Sequence, residues 1–368
     1  MKSPRPPRLG RAEPPPAGVR AEPPGFSGVR FSAIDDEAAV NAFFEDMPAP
    51  AMAAAGQPLR VLALSGGGAG GAFGAGALVG LSRAGRRPAF DMVTGVSTGA
   101  LIAPLAFLGA DWDHRLTEAY AGGAASDLLA LKGLRPGPSL YAGEPLAHLV
   151  GRYVDEALLV AVAAAHRQGR RLFVATSNLD AQSTSIWDMG AIAGVGGEAA
   201  LRLFADVLTA SASLPGLFPP RLIRVAGEGR EFEEMHVDGG AITPLFVVPE
   251  PLVLRRALPL ADRGVEVYAL VNTTLEGDAR ATPMGAAPIL MRSFELMLRS
   301  SYRSALRSVA AFCEINGFGL RTAAVPQSYA GVSMLRFEEA TMRALFEHGA
   351  ELGESGGLWT TLLAPEGA

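Results

Sequence analysis

Residues 61–80 read VLALSGGGAGGAFGAGALVG, an apolar run that breaks into glycines and then continues as small apolar residues. The run LRVLALS predicts a strand, and residues 72–85 predict a helix rich in small side chains. The pattern G-x-G-x-x-G is fulfilled by Gly66, Gly68 and Gly71. In this pattern the glycines, which have no side chain, let the backbone at the start of a helix approach an anion closely. The stretch therefore predicts a strand, an anion-facing loop and a helix.

One candidate anion is the pyrophosphate of a dinucleotide. The glycine pattern alone is weakly specific, because the chain contains 44 glycines. A dinucleotide site also needs an acidic residue at the end of the second strand, where it binds the ribose. Asp91 begins the second strand, FDMVTGV, and so lies at the wrong end. A dinucleotide-binding oxidoreductase is therefore the less favoured interpretation.

A second glycine motif, GVSTG at residues 95–99, fits the pattern G-x-S-x-G. It joins the apolar strand FDMVT to the helical run TGALIAPLAF. Ser97 falls at the junction, where a nucleophile elbow presents its serine, and Gly95 and Gly99 leave room for the sharp turn. A helix-capping serine in an ordinary loop is the alternative. We expect the nucleophile.

The two motifs explain each other if Ser97 attacks an ester. The attack produces a tetrahedral oxyanion, which needs preorganised N–H donors. A glycine loop at a neighbouring strand end can supply several of them. We expect the donors to be the backbone amides of Gly66, Gly67 and Gly68.

The serine needs a general base, and the segment EMHVDGGA contains two candidates. Asp238 follows an alternating strand and precedes two glycines, which allow a tight turn that presents its carboxylate. His236 is the alternative near the same edge. An aspartate with the ordinary pKa of about 3.9 needs desolvation or a close contact to act as a base at neutral pH. The residue types favour Asp238 and leave both candidates open.

These residues resemble the patatin-like phospholipase family over roughly residues 59–247. The shared motifs occur in the family's order: SGGGAGGAFGAG, FDMVTGVSTGAL, VATSNLDAQSTSIW, ASASLPGLFPP and VDGG. The resemblance implies a lipid acyl hydrolase with a three-layer α/β/α core, a Ser97–Asp238 dyad and an oxyanion hole in the glycine loop. It implies no metal and no organic cofactor. The resemblance also implies that His236 and Gly239 lie near the site.

The sequence departs from the family's pattern within the loop. The family often has arginine or lysine two residues after the third glycine, where this chain has Gly70. It often opens the loop with an acidic residue or glycine, where this chain has Ser65. A catalytically weak relative kept for lipid binding or for another interaction is therefore the alternative function.

Strand-like and helix-like segments alternate from Leu59 onward, which predicts an α/β fold with a central, mostly parallel sheet and helices on both faces. We expect three regions. Residues 1–57, rich in Pro and Arg, form a disordered or extended segment. Residues 58–280 form the catalytic domain, and residues 281–368 form a mainly helical region packed on the core.

The composition excludes several kinds of site. A net charge of −5 gives no reason to expect nucleic-acid binding. Cys313 is the only cysteine, which excludes an internal disulfide and a multi-cysteine zinc site. The sequence contains neither a secretory signal nor a run long enough to span a membrane. We expect a soluble, cytoplasmic protein that contacts a membrane surface peripherally to reach a lipid or ester substrate.

Two segments are candidates for that contact. One is the apolar loop SDLLALKGL at residues 126–134, and the other is a helix over residues 291–312. Four arginines of the helix recur near one stripe: Arg292, Arg299, Arg303 and Arg307. Such a helix can lie on anionic lipid, although a solvated helix face is the simpler interpretation. Met291 and Met297 are expected in the core.

Overall fold

The computed structural model describes residues 10–32, 57–122, 144–248, 264–329 and 337–363. Within these ranges the strands are β1 (Arg30–Ser32), β2 (Leu59–Leu64), β3 (Met92–Val96), β4 (Arg171–Asn178), β5 (Ser183–Asp188), β6 (Arg221–Gly227), β7 (Arg230–Asp238), β8 (Val265–Val271), β9 (Gly319–Ala324) and β10 (Thr360–Leu363). The helices of the same ranges are α1 (Gly71–Arg83), α2 (Thr98–Leu108), α3 (Asp113–Ala121), α4 (Glu144–Tyr153), α5 (Glu156–Arg167), α6 (Met189–Val195), α7 (Gly197–Ser211), α8 (Ala286–Asn316) and α9 (Glu339–Ser355).

The strands form a single sheet in the order β1-β5-β4-β3-β2-β8-β9-β10, and the β6–β7 hairpin joins it through β7 and β4. The five central strands, from β4 to β9, run parallel. Antiparallel strands border them on both sides. The predicted central parallel sheet is confirmed.

The sheet separates two apolar cores, one on each face. Leu62 and Leu64 of β2 pack into one core together with residues of α1 and α9, whereas Val61 and Ala63 pack into the other. The second core is covered by α8, which contributes the buried Cys313. A parallel sheet needs this cover on both faces, so the three-layer α/β/α arrangement is also confirmed.

Helix α1 continues directly from the glycine loop and packs closely against α9. A Cβ on Gly76 would lie 1.9 Å from the carbonyl oxygen of Phe346, and a Cβ on Gly349 would lie 2.2 Å from that of Phe73. Each helix therefore presents a glycine to the backbone of the other. The close contact fixes α1, and with it the loop that opens it.

Residues 10–32 lie against the sheet, with several turns before the strand β1. β1 pairs antiparallel with β5, and Phe26 and Val29 are buried in the first core. Arg30 donates hydrogen bonds to Glu234 and lies 5.0 Å from the ring centre of Trp187. The prediction of a disordered or extended segment over residues 1–57 stays a prediction, since residues 1–9 and 33–56 lie outside the described residues.

Part of the region after residue 281 completes the same sheet. β9 adds parallel to β8, and β10 adds antiparallel to β9. The sequence pattern there predicts helices and does not indicate these two strands. The boundaries at residues 57 and 280 stay predictions.

The contact between α1 and α9 gives a stability prediction. We expect Gly76→Ala to lower the free energy of unfolding by about 1–3 kcal/mol, because the new methyl group overlaps the α9 backbone. Urea denaturation of the full chain measures the change. Gly151→Ala is the matched control, since a Cβ there meets nothing within 4 Å. That control should gain stability from helix propensity. Equal midpoints for the two variants would contradict the prediction.

Candidate active site

The strand register brings the predicted site residues to one edge of the sheet. Leu64 of β2 is opposite Gly95 of β3, so the glycine loop and the elbow leave the sheet side by side. Val96 of β3 is opposite Ala175 of β4, and the next residue of β4, Thr176, is opposite Asp238. Ser97 and Asp238 therefore meet through β4, although 141 positions separate them in sequence.

Ser97 occupies a strained turn between β3 and α2. Its φ of 56° and ψ of −126° lie in a region that L-residues seldom adopt. Its amide donates to Ser211 Oγ at 3.0 Å, and Ser211 Oγ donates to the carbonyl of Ala175 at 2.7 Å. These bonds hold the turn in place. The Ser97 side chain makes no capping bond to α2, which disfavours the helix-capping interpretation.

Gly95 and Gly99 allow α2 to pack closely against the strand ends. A Cβ on Gly99 would lie 2.4 Å from the carbonyl oxygen of Leu64, and a Cβ on Gly95 would lie 2.7 Å from that of Gly99. The sharp turn at Ser97 therefore depends on both glycines, as the motif predicts.

The hydroxyl of Ser97 donates a hydrogen bond to Asp238 Oδ2 at 2.5 Å. The other carboxyl oxygen of Asp238 accepts from the amide of Gly240 at 2.7 Å. Asp238 is buried, and this desolvation raises its pKa to about 7, although the bonds from Ser97 and Gly240 favour the ionised form. A carboxylate with a pKa near neutrality, in contact with a hydroxyl, is suited to act as a general base.

His236 is fully buried, and its side chain contacts residues other than Ser97. Its Nδ1 lies 2.9 Å from Thr176 Oγ1, and its Nε2 lies 3.1 Å from Glu234 Oε2. Burial lowers its pKa, and Trp187 packs edge-on against its ring. Both ring nitrogens are thus engaged away from Ser97. Of the two candidate bases, only Asp238 contacts the serine.

The three glycine amides of the loop are not equally available to bind an oxyanion. The amide of Gly66 donates to the carbonyl of Pro244 at 3.2 Å, so the expectation that all three glycine amides are available is wrong for Gly66. Gly67 and Gly68 begin a short 3-10 turn, where the first amides have no partner within the turn. Both line the same pocket as Ser97. They are the candidate oxyanion donors.

Asn272, at the end of β8, fixes this loop, and the sequence analysis missed it. Its amide donates to Ser65 Oγ at 2.9 Å, and its side chain donates to the carbonyl of Ser65 at 2.7 Å. Ser65 in turn donates to the carbonyl of Gly66. A Cβ on Gly67 or Gly70 would lie within 2.0 Å of the Asn272 carbonyl oxygen. Gly70 therefore has no room for the cation that the family often carries there.

A pocket opens above Ser97 and Asp238. Its walls are mostly apolar side chains, including Leu101, Leu146, Leu217, Phe218, Phe294 and Leu298. A second, almost wholly apolar pocket continues from it and shares Thr98, Leu101 and Phe337. The charged side chains in the wall of the first pocket are Asp238, Arg280, Glu295 and Arg299.

Helix α8 supplies one wall of the pocket, a role that its sequence did not reveal. The hydroxyl of Tyr302 lies beside the loop, 2.7 Å from where a Cβ on Gly66 would be. Burial, and then the charge of Asp238, raise the pKa of Tyr302 above its ordinary value. The hydroxyl is therefore a neutral hydrogen-bond donor next to the serine.

The four arginines predicted to share a stripe have different surroundings. Arg292 pairs with Asp278 and Glu295, Arg303 donates to the carbonyl of Leu275, and Arg307 is exposed. Arg299 lines the pocket. Met291 and Met297 are 37% and 63% exposed, so the prediction that they lie in the core is wrong. The candidate loop at residues 126–134 lies outside the described residues.

Other predicted features can be placed as well. Asp91 accepts from the amide of Arg60 at the opposite end of β3, away from the glycine loop, as the argument against a dinucleotide site requires. Gly239 follows Asp238 in a short 3-10 turn.

Within the described ranges, no group of three His, Cys, Asp or Glu side chains could hold a metal ion. No helix in the same ranges is both long and apolar enough to cross a membrane.

The raised pKa of Asp238 gives a pH-dependent stability prediction. The native state binds the proton more tightly than the unfolded chain, whose aspartates have a pKa of about 3.9. The stability contributed by Asp238 therefore falls as the pH rises from about 4 to about 7. We expect Asp238→Asn to raise the thermal midpoint over wild type more at pH 8 than at pH 5. Exposed Asp111→Asn controls for general charge effects. An equal difference at both pH values would contradict the prediction.

Comparison with known proteins places the chain. A family profile described as patatin-like phospholipase matches residues 62–249, which include the glycine loop, Ser97 and Asp238. VipD from Legionella pneumophila is similar at 11% identity and a TM-score of 0.42, over 83% of this chain and 68% of VipD. The type III effector protein ExoU is similar at 16% identity and a TM-score of 0.24, over 81% of this chain and 53% of ExoU. This chain thus spans about half of ExoU. No curated protein sequence matches it significantly.

Proposed function

The chain belongs to the patatin-like phospholipase family of lipid acyl hydrolases, and we propose that it cleaves carboxylic esters of lipids with Ser97 as nucleophile and Asp238 as general base. One observation carries the proposal: the hydrogen bond from Ser97 Oγ, on a strained elbow, to the buried carboxyl of Asp238. Phospholipids, lysophospholipids and simpler carboxylic esters are the candidate substrates.

The first half of the reaction acylates the serine. Ser97 Oγ attacks the acyl carbonyl carbon while its proton passes to Asp238 Oδ2. The carbonyl oxygen becomes an oxyanion and accepts hydrogen bonds from the amides of Gly67 and Gly68. When the intermediate collapses, the ester C–O bond breaks, and the leaving alcohol takes the proton from Asp238.

The second half releases the acid. Asp238 removes a proton from water, and the resulting hydroxide adds to the acyl carbon of Ser97. The same two amides stabilise the second oxyanion. Collapse breaks the bond to Ser97 Oγ, which recovers the proton from Asp238, and the fatty acid leaves. Because burial raises the pKa of Asp238 to about 7, the carboxylate can both take up and release a proton near neutral pH.

The apolar pocket that continues from the serine supports a substrate with a long acyl chain. Most of its walls are side chains of α2, α3 and α4, including Leu105, Ala119, Leu149 and Val150. Burying each methylene of a substrate chain there would contribute about 0.8 kcal/mol. We assign this space to the acyl chain and the Ser97 pocket to the ester.

Exposed apolar residues next to the pocket support contact with a lipid surface. They lie at the beginning of α8 and just before it: Met284, Ile289, Leu290, Met291, Leu296 and Met297. Their neighbours Phe294 and Leu298 line the pocket. A lipid aggregate that covered this apolar surface would present its esters at the entrance of the site.

Ser97→Ala tests the nucleophile. We expect wild type to react with a fluorophosphonate probe and to hydrolyse a p-nitrophenyl ester, and Ser97→Ala to lose both, the hydrolysis by about 10³-fold or more. Gel fluorescence and absorbance measure the two. Ser300→Ala, which changes an exposed serine of α8, is the control. Labelling that survives in Ser97→Ala would reject the assignment. Lipid binding without serine-dependent turnover would favour a catalytically weak relative.

Leu149→Trp tests the acyl pocket. The indole would fill the apolar space, so we expect kcat/KM for a decanoyl ester to fall about tenfold, the equivalent of roughly two buried methylenes. The butanoyl ester of the same alcohol should be unaffected, because it does not reach the pocket. Val160→Trp is the control, as Val160 is 60% exposed on α5. A loss independent of chain length would contradict the assignment.

A further inference from the structure

Arg299 is an unpaired cation in the wall of the Ser97 pocket. Its guanidinium packs on the backbone of Gly277, where a Cβ would lie 2.6 Å from Nη1. Nη1 is buried, and no described residue accepts a hydrogen bond from it. Nearly all buried polar groups in proteins have a partner, so an orphaned donor beside a binding site indicates a ligand.

The charged side chains near Arg299 form ion pairs with one another and not with Arg299. Arg280 and Arg292 form ion pairs with Asp278 and Glu295, two cations with two anions. Glu295 lies one turn before Arg299 on α8 but forms its ion pairs with the other two arginines. Among these charged side chains of the described residues, Arg299 is the one without an ion pair.

The position of Arg299 along α8 determines which part of an ester substrate its charge can contact. Tyr302, whose hydroxyl lies beside Gly66 and Ser97, is three residues further along α8, so Arg299 lies about 5 Å further out along the helix axis. Much of the pocket wall is apolar, which strengthens the attraction between Arg299 and an anion inside the pocket. An anionic group a few bonds from the ester carbonyl could reach it.

We propose that Arg299 forms an anion subsite that binds the phosphate of a phospholipid headgroup while Ser97 attacks the acyl ester. The planar guanidinium presents paired N–H donors that match the oxygens of a phosphodiester. The inference rests on the proposed function, since it supplies the polar half of that substrate. The apolar pocket takes the acyl chain, and Arg299 takes the headgroup.

Two esters with the same acyl chains test the subsite. Dioctanoyl phosphatidylcholine and dioctanoylglycerol are compared in neutral detergent micelles, so that only the headgroup differs and the surface carries no net charge. We expect Arg299→Gln to lower kcat/KM for the phospholipid about 10- to 100-fold and to leave the diacylglycerol unchanged. Arg299→Lys should recover part of the loss, because it keeps the charge without the fork.

Arg307→Gln is the matched control. It removes the same charge from the same helix, two turns further on, at an exposed position outside the pocket. It should leave the ratio of the two kcat/KM values unchanged. An equal loss on both esters in Arg299→Gln, no loss, or the same change of ratio in Arg307→Gln would overturn the proposal.

A binding measurement separates failure of the subsite from failure of the proposed function. Monomeric dihexanoyl phosphatidylcholine is titrated calorimetrically into Ser97→Ala, with and without Arg299→Gln. Binding that weakens about 10- to 100-fold in the double variant supports the subsite even if the protein hydrolyses no ester. Absent or Arg299-independent binding overturns it. Inorganic phosphate is titrated in parallel, and a free-phosphate affinity equal to that of the lipid would overturn the headgroup assignment.

Discussion

The hydrogen bond between Ser97 and Asp238 imposes the strictest requirement on the surrounding structure. An aspartate in water is ionised at neutral pH and too weak a base to take a proton from a hydroxyl. Burial raises the pKa of Asp238 to about 7 and so makes the carboxylate more basic. The hydrogen bonds from Ser97 and Gly240 oppose the effect of burial and favour the ionised form. The dyad therefore needs a dry site with two donors in fixed positions.

The backbone geometry of the sheet and of the glycine loop places these groups. Antiparallel pairing of β7 with β4 brings Asp238 to the carboxyl edge, where parallel β3 delivers Ser97. The carbonyl of Asn272 occupies the space next to Gly67 and Gly70, so crowding determines the loop. The same crowding keeps a cationic side chain out of position 70. A positive charge in this pocket has to come from another element.

The sequence predicted the parts of the fold and site that are encoded locally. The elbow around Ser97 and the glycine loop are short motifs whose turn chemistry requires those residues, and the alternation of elements indicated the central sheet. The residue types already favoured Asp238 over His236, and the family resemblance implied the same; the hydrogen bond to Ser97 is a three-dimensional contact that distinguishes Asp238 from His236. The engagement of Gly66 with Pro244 depends on residues 178 positions apart, which no local pattern encodes.

Long-range contacts also explain the other differences. β1 and β10 have three and four residues and lie at the two ends of the strand order, and β9 is held between β8 and β10. Asn272 follows a strand at the active edge, which was an available signal, but its contact with Ser65 spans 207 positions. Arg299 and Tyr302 looked like two residues of an ordinary amphipathic helix. Their roles depend on what α8 packs against.

The length of α8 explains why one helix combines these roles. Its 31 residues span about 46 Å, whereas the six-residue strand β2 spans about 20 Å. Because α8 leads into β9, which is parallel to β8, it runs from the carboxyl edge of the sheet toward the amino edge. Its second half buries Phe312 and Cys313 under the sheet, and its first half extends beyond the edge that holds Ser97. Tyr302 stands near the middle of the helix, beside the serine. The part before it extends past the sheet, so its side chains are available to a substrate: Arg299 one turn out, and exposed leucine and methionine beyond.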